Sequence, residues 1–309
     1  MRRYKFATLM IAGVALMLSA CTATKQEAPA HTNHVKQAQN NVKPKQKMHI
    51  LQRETDNRFN KLREKANNGN VHLTKAQANF IKPYKYQSSK IFKMMPRDSY
   101  GRALASHIQL SENQAAFNKR SPYLTIRPSG WHNYKFTTSK NGNPYTTWLY
   151  NRGHLVGYQF CGLNQAPGNM ITQTTYLNQG GITGMNDQNP EGQLYYENKL
   201  RSWLIKHPAD KLDYSVAALY APGELVPQAV RLSYVGYTPR GKKIRINMPI
   251  GSKAKRAHDK LSYVILSNTS PQATINYKTG RAKVFNSNSN SFNRAEYKNH
   301  LWRTKFSKH

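Results

Sequence analysis

One stretch of the chain, Tyr150-Asn151-Arg152-Gly153-His154-Leu155-Val156-Gly157-Tyr158, brings a carboxamide, a guanidinium and an imidazole together within a few residues. A neutral imidazole near pH 7 can take a proton from water, so His154 is a candidate general base. Arg152 offers a planar fork of donors, suited either to charge that develops on a phosphate oxygen or to a structural ion pair. A lone histidine is more often structural than catalytic, so its meaning depends on the polar residues that follow. These are Asn169, the run Ile171-Thr172-Gln173-Thr174-Thr175-Tyr176-Leu177-Asn178-Gln179, and Tyr195-Tyr196-Glu197-Asn198-Lys199-Leu200-Arg201.

The composition indicates what such a site would meet. The chain has 309 residues with 47 Lys+Arg against 14 Asp+Glu, a formal net charge of +33. An excess this large speaks to partners rather than to fold. Neutralising a polyanion releases its condensed counterions, which makes nucleic acid the first candidate partner. Anionic lipid and cell-wall polymer are the rival polyanions, and charge that merely keeps a protein soluble is the blandest reading.

In its ordered motifs the sequence resembles the DNA/RNA non-specific endonucleases with a ββα-metal site, and among them the bacterial DNA-entry nuclease branch. Asn151-Arg152-Gly153-His154-Leu155 matches that family's Asp/Asn-Arg-Gly/Cys-His-Leu block. Asn169 stands nine residues before the Asn178 that closes Tyr176-Leu177-Asn178, and Glu197-Asn198 follows on the next expected helix. Tyr100-Gly101-Arg102-Ala103 and Arg127-Pro128-Ser129-Gly130-Trp131-His132 are similar to upstream blocks. Asn268-Thr269-Ser270-Pro271-Gln272, leading to Asn276-Tyr277-Lys278-Thr279-Gly280, is similar to the closing strand region.

The resemblance covers roughly residues 93–285. It implies an α+β fold, a ββα-metal (His-Me finger) nuclease domain with a central antiparallel sheet flanked by helices. It also implies internal hydrolysis of DNA and RNA, with His154 as the base that activates water. Asn178 would be the direct ligand of a divalent cation, Mg²⁺ with Mn²⁺ as the alternative. Such an ion keeps most of its waters and takes one or two protein oxygens. Glu197 would hold metal-bound waters, Arg152 would stabilise charge on the phosphate, and Arg127 would contact substrate phosphate. Asn169 and Arg201 are candidate substrate contacts too. A site-orienting or capping amide is the rival reading for Asn169, and an i,i+4 ion pair with Glu197 for Arg201.

The sequence departs from the family pattern at two places. Position 151 is Asn where many relatives have Asp. The run from Gly180 through Gly181, Gly184, Asn186, Asp187 and Asn189 to Pro190 separates Asn178 from Glu197 by more than the usual two helical turns. Asn186 and Asp187 are therefore rival occupants of the Glu197 role.

These residues need elements to carry them. Aromatic and β-branched runs at 123–127 and 146–150 read as strands, with turn chemistry at Pro128-Ser129-Gly130 and Asn141-Gly142-Asn143-Pro144 between them. Asn189-Pro190 reads as the start of an amphipathic helix whose apolar side includes Leu194, Leu200, Trp203 and Leu204. Further strands are expected at 214–220, 230–237, 243–250 and 263–266, and a turn at 277–280 precedes a final one. Strands, then helices, then strands again point to an α+β domain.

The amino terminus reads as a targeting segment. Arg2, Arg3 and Lys5 precede an uncharged apolar stretch from Phe6 to Leu18, too short for a membrane span but suited to a signal peptide. Leu18-Ser19-Ala20-Cys21 resembles a bacterial lipobox, which implies lipidation of Cys21 and anchoring at the outer face of the cytoplasmic membrane. A plain cleaved signal peptide is the alternative. The expected organisation is a signal peptide at 1–20, a polar flexible tether at 21–48, a peripheral helical extension at 49–92, the nuclease domain at 93–285 and a mobile basic tail at 286–309. After cleavage Cys161 is the one other cysteine, which leaves no internal disulfide. It reads as a small buried hydrophobe rather than a nucleophile.

Two other functions share the charge and the anchor: a non-catalytic surface DNA-binding receptor, and an adhesin for anionic wall polymers. Neither accounts for His, Asn and Glu recurring at the family's positions.

Overall fold

The computed structural model describes residues 71–116, 123–140 and 143–284. The expected signal peptide, Cys21, the tether, the extension up to residue 70 and the basic tail lie outside the described residues.

The described chain opens with helix α1 (Lys75–Phe80), started by a capping box in which Thr74 and Gln77 satisfy each other's backbone N–H groups. Strands β1 (Ile91–Met94) and β2 (Ala105–Leu110) follow. A hairpin of β3 (Lys135–Lys140) and β4 (Asn143–Trp148) leads into β5 (Tyr150–His154). The short helix α2 (Tyr158–Cys161) precedes β6 (Met170–Thr174), helix α3 (Thr175–Gln179) and the long helix α4 (Gln193–Lys206). Then come β7 (Lys211–Leu219), β8 (Ala229–Tyr237), β9 (Lys243–Ile244), β10 (Lys255–Arg256), β11 (Ser262–Ser267), β12 (Ala273–Ile275) and β13 (Ala282–Val284).

The fold is α+β around a central antiparallel sheet of order β1-β2-β7-β8-β11-β10, with β9 also on β8. The long strands β7 and β8 are buried along nearly their whole length, so the sheet is covered on both faces. Leu212, Tyr214, Val216 and Ala218 of β7 share the main core with Leu200 and Leu204 of α4. On the other side, Ala217 packs with Ile81 and Ala105, and Leu219 with Val71.

That second cover corrects the expected extension. Where it is described it is not peripheral, and the boundary expected at residue 93 falls inside β1. Its attachment is polar and therefore invisible to a search for apolar periodicity. Gln77 Nε2 donates to the carbonyls of Leu104 at 2.9 Å and Ala218 at 2.8 Å. His107 Nδ1 donates to Phe80 O at 3.0 Å, while its Nε2 lies 2.6 Å from Asp213 Oδ1. Asp213 also accepts from Tyr84 N at 3.1 Å and from Gln109 Nε2 at 3.1 Å.

Three further expectations shift. Residues 123–127 form no strand, because one side chain replaces the ladder partner: Gln165 Oε1 accepts from the N–H groups of Thr125 and Ile126. The strand expected at 243–250 is only Lys243–Ile244. Helix α4 begins at Gln193 rather than at Pro190, because the turn before it is pressed against the end of α3. A Cβ at Gly192 would lie 2.6 Å from Gly180 Cα.

A smaller core lies apart from the main one, formed by Tyr134, Phe136, Leu149 and Tyr150 with Ala273, Ala282 and Val284. Cys161 is a buried free thiol whose burial pushes its pKa up, as befits a small hydrophobe. No described helix is long and apolar enough to cross a membrane.

Replacing Gln77 with Ala removes the side-chain half of the capping box and the donor that the carbonyls of Leu104 and Ala218 share. Urea unfolding of Gln77→Ala should show a loss of about 2 kcal/mol with an unchanged m-value. A midpoint equal to the parent's would mean that this segment contributes nothing to the domain.

Candidate active site

The site is built on β5, β6 and α3. β5 and β6 pair antiparallel with Arg152 opposite Thr172 and His154 opposite Met170. Glycine at 153 is required by close approach, since a Cβ there would collide with the Gln173 side chain. Helix α3 starts directly after β6, capped by Thr174 Oγ1 accepting from Leu177 N at 3.0 Å. Gly180, in the left-handed region at φ 77°, ends it one turn later. This brings Asn178 back toward the end of β5.

His154 and Asn178 line one cavity of about 570 Å³, together with Arg152, Asn151, Asn133 and Gln179. Four aromatic side chains complete its wall: Tyr123, Trp131, Trp148 and Tyr150. The imidazole is only 5% exposed. Its Nε2 lies 3.0 Å from Leu163 O and 3.1 Å from Asn164 O. Carbonyls only accept, so Nε2 carries the hydrogen, and in the neutral ring the lone pair resides on Nδ1. Arg152 donates through Nε to Ile126 O at 2.6 Å, and its guanidinium lies 4.5 Å from the centre of the Trp131 ring. Burial, and then the nearby charge of Arg127, lower its pKa. Two cationic heads close to one another favour an anion between them. Arg127 is exposed and lies outside the cavity wall.

Besides Arg127, three more sequence-predicted residues are absent from the cavity wall. The carboxylate of Glu197, expected to hold metal-bound waters, is buried behind the β5 end. Its Oε1 accepts from Gly157 N at 3.0 Å, Gln193 Nε2 at 2.9 Å and Tyr214 OH at 3.1 Å. Desolvation outweighs these donors and lifts its pKa to about 7. Asn169, expected at the substrate, is fully buried: Oδ1 accepts from Val156 N and Nδ2 donates to Val156 O, both at 2.9 Å, and Nδ2 also lies 3.8 Å from Cys161 Sγ. Arg201, expected at substrate or in a pair with Glu197, has its Nη2 3.1 Å from Glu112 Oε1. Its distance from Glu197 along the helix was right for a pair, but the carboxylate is turned inward. The rival residue Asp187 accepts from Gln188 Nε2 and Asn198 Nδ2 and also lies off the cavity wall.

Sequence reasoning missed Gln193. Its Nε2 lies 3.0 Å from His154 O and 2.7 Å from Leu155 O, and its Oε1 accepts from Gln173 Nε2 at 2.9 Å. The signal available was its place one turn before Glu197 on the inner face of the same helix. The aromatic wall was also missed, because its members are scattered over 123–150.

A family model described as DNA/RNA non-specific endonuclease matches residues 84–236. A solved structure described as an extracellular nuclease is 34% identical with a TM-score of 0.54, over 66% of this chain and 98% of that one. The chain belongs to the DNA/RNA non-specific endonuclease family. A second structure, described as an extracellular endonuclease, is 36% identical with a TM-score of 0.54, over 65% of this chain and 90% of that one. NucA from Streptococcus agalactiae with magnesium bound is 21% identical with a TM-score of 0.48, over 65% and 81% of the two chains. No curated protein matches. In the nuclease, β5, β6 and α3 form the ββα unit of the ββα-metal fold.

The raised pKa of Glu197 makes a stability prediction. Between about pH 4.5 and 7 the folded state keeps a proton that the unfolded chain has lost. This group's contribution is therefore intact at the acid end and declines as pH climbs through that window. Glu197→Gln keeps an acceptor for the converging donors and has no proton to lose. It should be more stable than the parent above pH 7, by on the order of 3 kcal/mol, and level with it near pH 4. Thermal melts of both proteins across that range check this. A gap that does not change with pH would mean that the carboxylate is ionised throughout.

Proposed function

We propose that the nuclease is a metal-dependent, sequence-non-specific endonuclease that hydrolyses phosphodiester bonds of DNA and RNA outside the cell. The observation that carries this reading is that His154 and Asn178, from separate elements, line the same opening beside Arg152.

His154 Nδ1 takes a proton from water, and the water oxygen forms a bond to phosphorus as the bond to the 3′ oxygen breaks. The carbonyls of Leu163 and Asn164 hold the ring in the tautomer that leaves Nδ1 basic, and they favour the imidazolium formed after proton transfer. Arg152, oriented by Ile126 O and the Trp131 ring, directs its fork at the phosphate oxygens, where charge grows in the transition state. Arg127 adds positive charge from the exposed side.

The cavity wall carries the amide side chains of Asn133, Asn178 and Gln179, whose neutral oxygens are of the hard type that a cation keeping most of its waters accepts. Asn178 would hold Mg²⁺, with Mn²⁺ as its substitute, through its side-chain oxygen. Such an ion, when bound, neutralises charge on the phosphate and the departing oxygen. Glu197 and Asn169 act as positioning residues for the strand end that bears the base, rather than as ligands or substrate contacts. The absence of base-reading demands on this chemistry, together with the net charge of +33, supports affinity for any sequence. We also assign the chain to the DNA-entry branch, and infer that Cys21 carries a lipid that holds it on the outer face of the cytoplasmic membrane.

Plasmid digestion tests the reading. The parent should cut with Mg²⁺, stop with EDTA and slow steeply as salt rises. His154→Ala and Asn178→Ala should each lose at least about a hundredfold in kcat. Equal nicking by His154→Ala and the parent would remove His154 as the base. A gel shift without cleavage under Mg²⁺, Mn²⁺ and Ca²⁺ would hand the chain to the surface-receptor reading. Cys21→Ser should move the protein from the membrane fraction to the medium, and an unchanged membrane fraction would rule out the lipid anchor.

A further inference from the structure

Of the aromatic wall of the cavity, the hydrolysis described above uses Trp131 alone, as a support for Arg152. A hydrated cation and a phosphate do not need a volume of about 570 Å³, which falls among pockets that enclose whole small-molecule ligands of about 300–1,000 Å³. The rings that line it are not equivalent. Tyr150 is 1% exposed and donates its hydroxyl to Gly280 O at 3.0 Å, so it is a core residue. Trp131 has the Arg152 guanidinium 4.5 Å from its ring centre. Trp148 and Tyr123 are different: they are 40% and 79% exposed.

Trp148 ends β4 on the outer face of the β3–β4 hairpin. Its cross-strand partner is Lys135, whose Nζ lies 5.4 Å from the ring centre. On the inner face of the same strands, Phe136 and Thr147 are buried, so the hairpin is fixed from below and presents its outer row to solvent. A rigid exposed ring beside a lysine, at the mouth of a cavity that holds a phosphate-directed site, has the chemistry of a single-strand binding platform. The ring takes a base through its π-face and the cation takes the neighbouring phosphate.

We propose that Trp148, with Tyr123 on the same cavity wall, stacks an unpaired base next to the scissile phosphate, so that the nuclease grips substrate whose bases are splayed out of a helix. This inference rests on the cavity being the nuclease site, and it adds a contact to the base where the reading above needs only the backbone. Stacking on a π-face is sequence-tolerant, which keeps the site non-specific while making it sensitive to strandedness.

Binding to a single-stranded thymidine oligonucleotide and to an abasic sugar–phosphate strand of the same length tests this in the full chain, with Ca²⁺ present. Trp148→Ala should weaken binding of the thymidine strand about tenfold, with the loss confined to the base-bearing strand. Trp148→Phe, which keeps a ring, should recover most of it, and Lys135→Ala should weaken both strands. Thymidine should also quench the parent's tryptophan fluorescence more than the abasic strand does. Equal losses on the two strands, or no loss for Trp148→Ala, would overturn the stacking contact. Because binding is read without cleavage, a chain that stacks bases but fails to cut plasmid would sink the enzymatic reading and leave only the stacking contact standing. A chain that cuts plasmid but binds both strands alike would do the reverse.

Discussion

The backbone from His154 to Gly157 runs through the interior, and several of its polar groups are tied to side chains or backbone distant in sequence. Gln193 takes the carbonyls of His154 and Leu155, Asn169 takes both backbone groups of Val156, and Glu197 takes Gly157 N. The carbonyl of Asn169 accepts from Leu155 N. A buried backbone group left without a partner costs about 1–3 kcal/mol, so the strand end has one low-energy path through these partners. The imidazole is only as well placed as that path. Its orientation is thus set from α4, from the turn before β6 and from the core, and not by the residues beside it in the sequence.

This dependence explains what could be read in the sequence and what could not. Short motifs were legible because each carries its chemistry locally: the β5 block with His154, the Thr174 cap before α3, and the Gly180 stop after it. The β7, β8 and β11 strands were legible because their apolar residues run nearly unbroken. β2 was not, since Ser106, His107 and Gln109 alternate with its apolar residues and look like a solvent face. His107 and Gln109 are instead buried against Asp213 and the segment at 71–86, and Ser106 donates to Gly168 O, so polar partners substitute for hydrophobic contact. The place of Glu197 beside the site was legible, but its partners were not. Spacing could say that a carboxylate belonged to the site, while only the packing of Tyr214 and Gln193 against it shows that it faces away from solvent.

The site separates two requirements that could conflict. The groups at the reacting centre are held without slack, and the groups at the rim are exposed and cationic or aromatic. A polymer has the same backbone at every step, so a tightly fixed centre can act anywhere along it. The rim then decides only how the polymer is presented. The charge of the chain acts at long range and at any register, and this is compatible with a centre that reads no sequence.

The two hydrophobic cores meet along a single short element. Tyr150, at the start of β5, is packed in the small core with Phe136 and Ala273, whereas Leu155, just past its end, is packed in the large core with Phe160 and Leu200. Cooperative units with separate interiors can open independently of one another. The small core carries the hairpin that ends in Trp148, and the large core carries the supports of His154. If the lesser unit loosens, the jaw of the cleft widens while its hinge-side machinery keeps its alignment. A long strand could then be released and re-seated without unmaking the apparatus that cuts it.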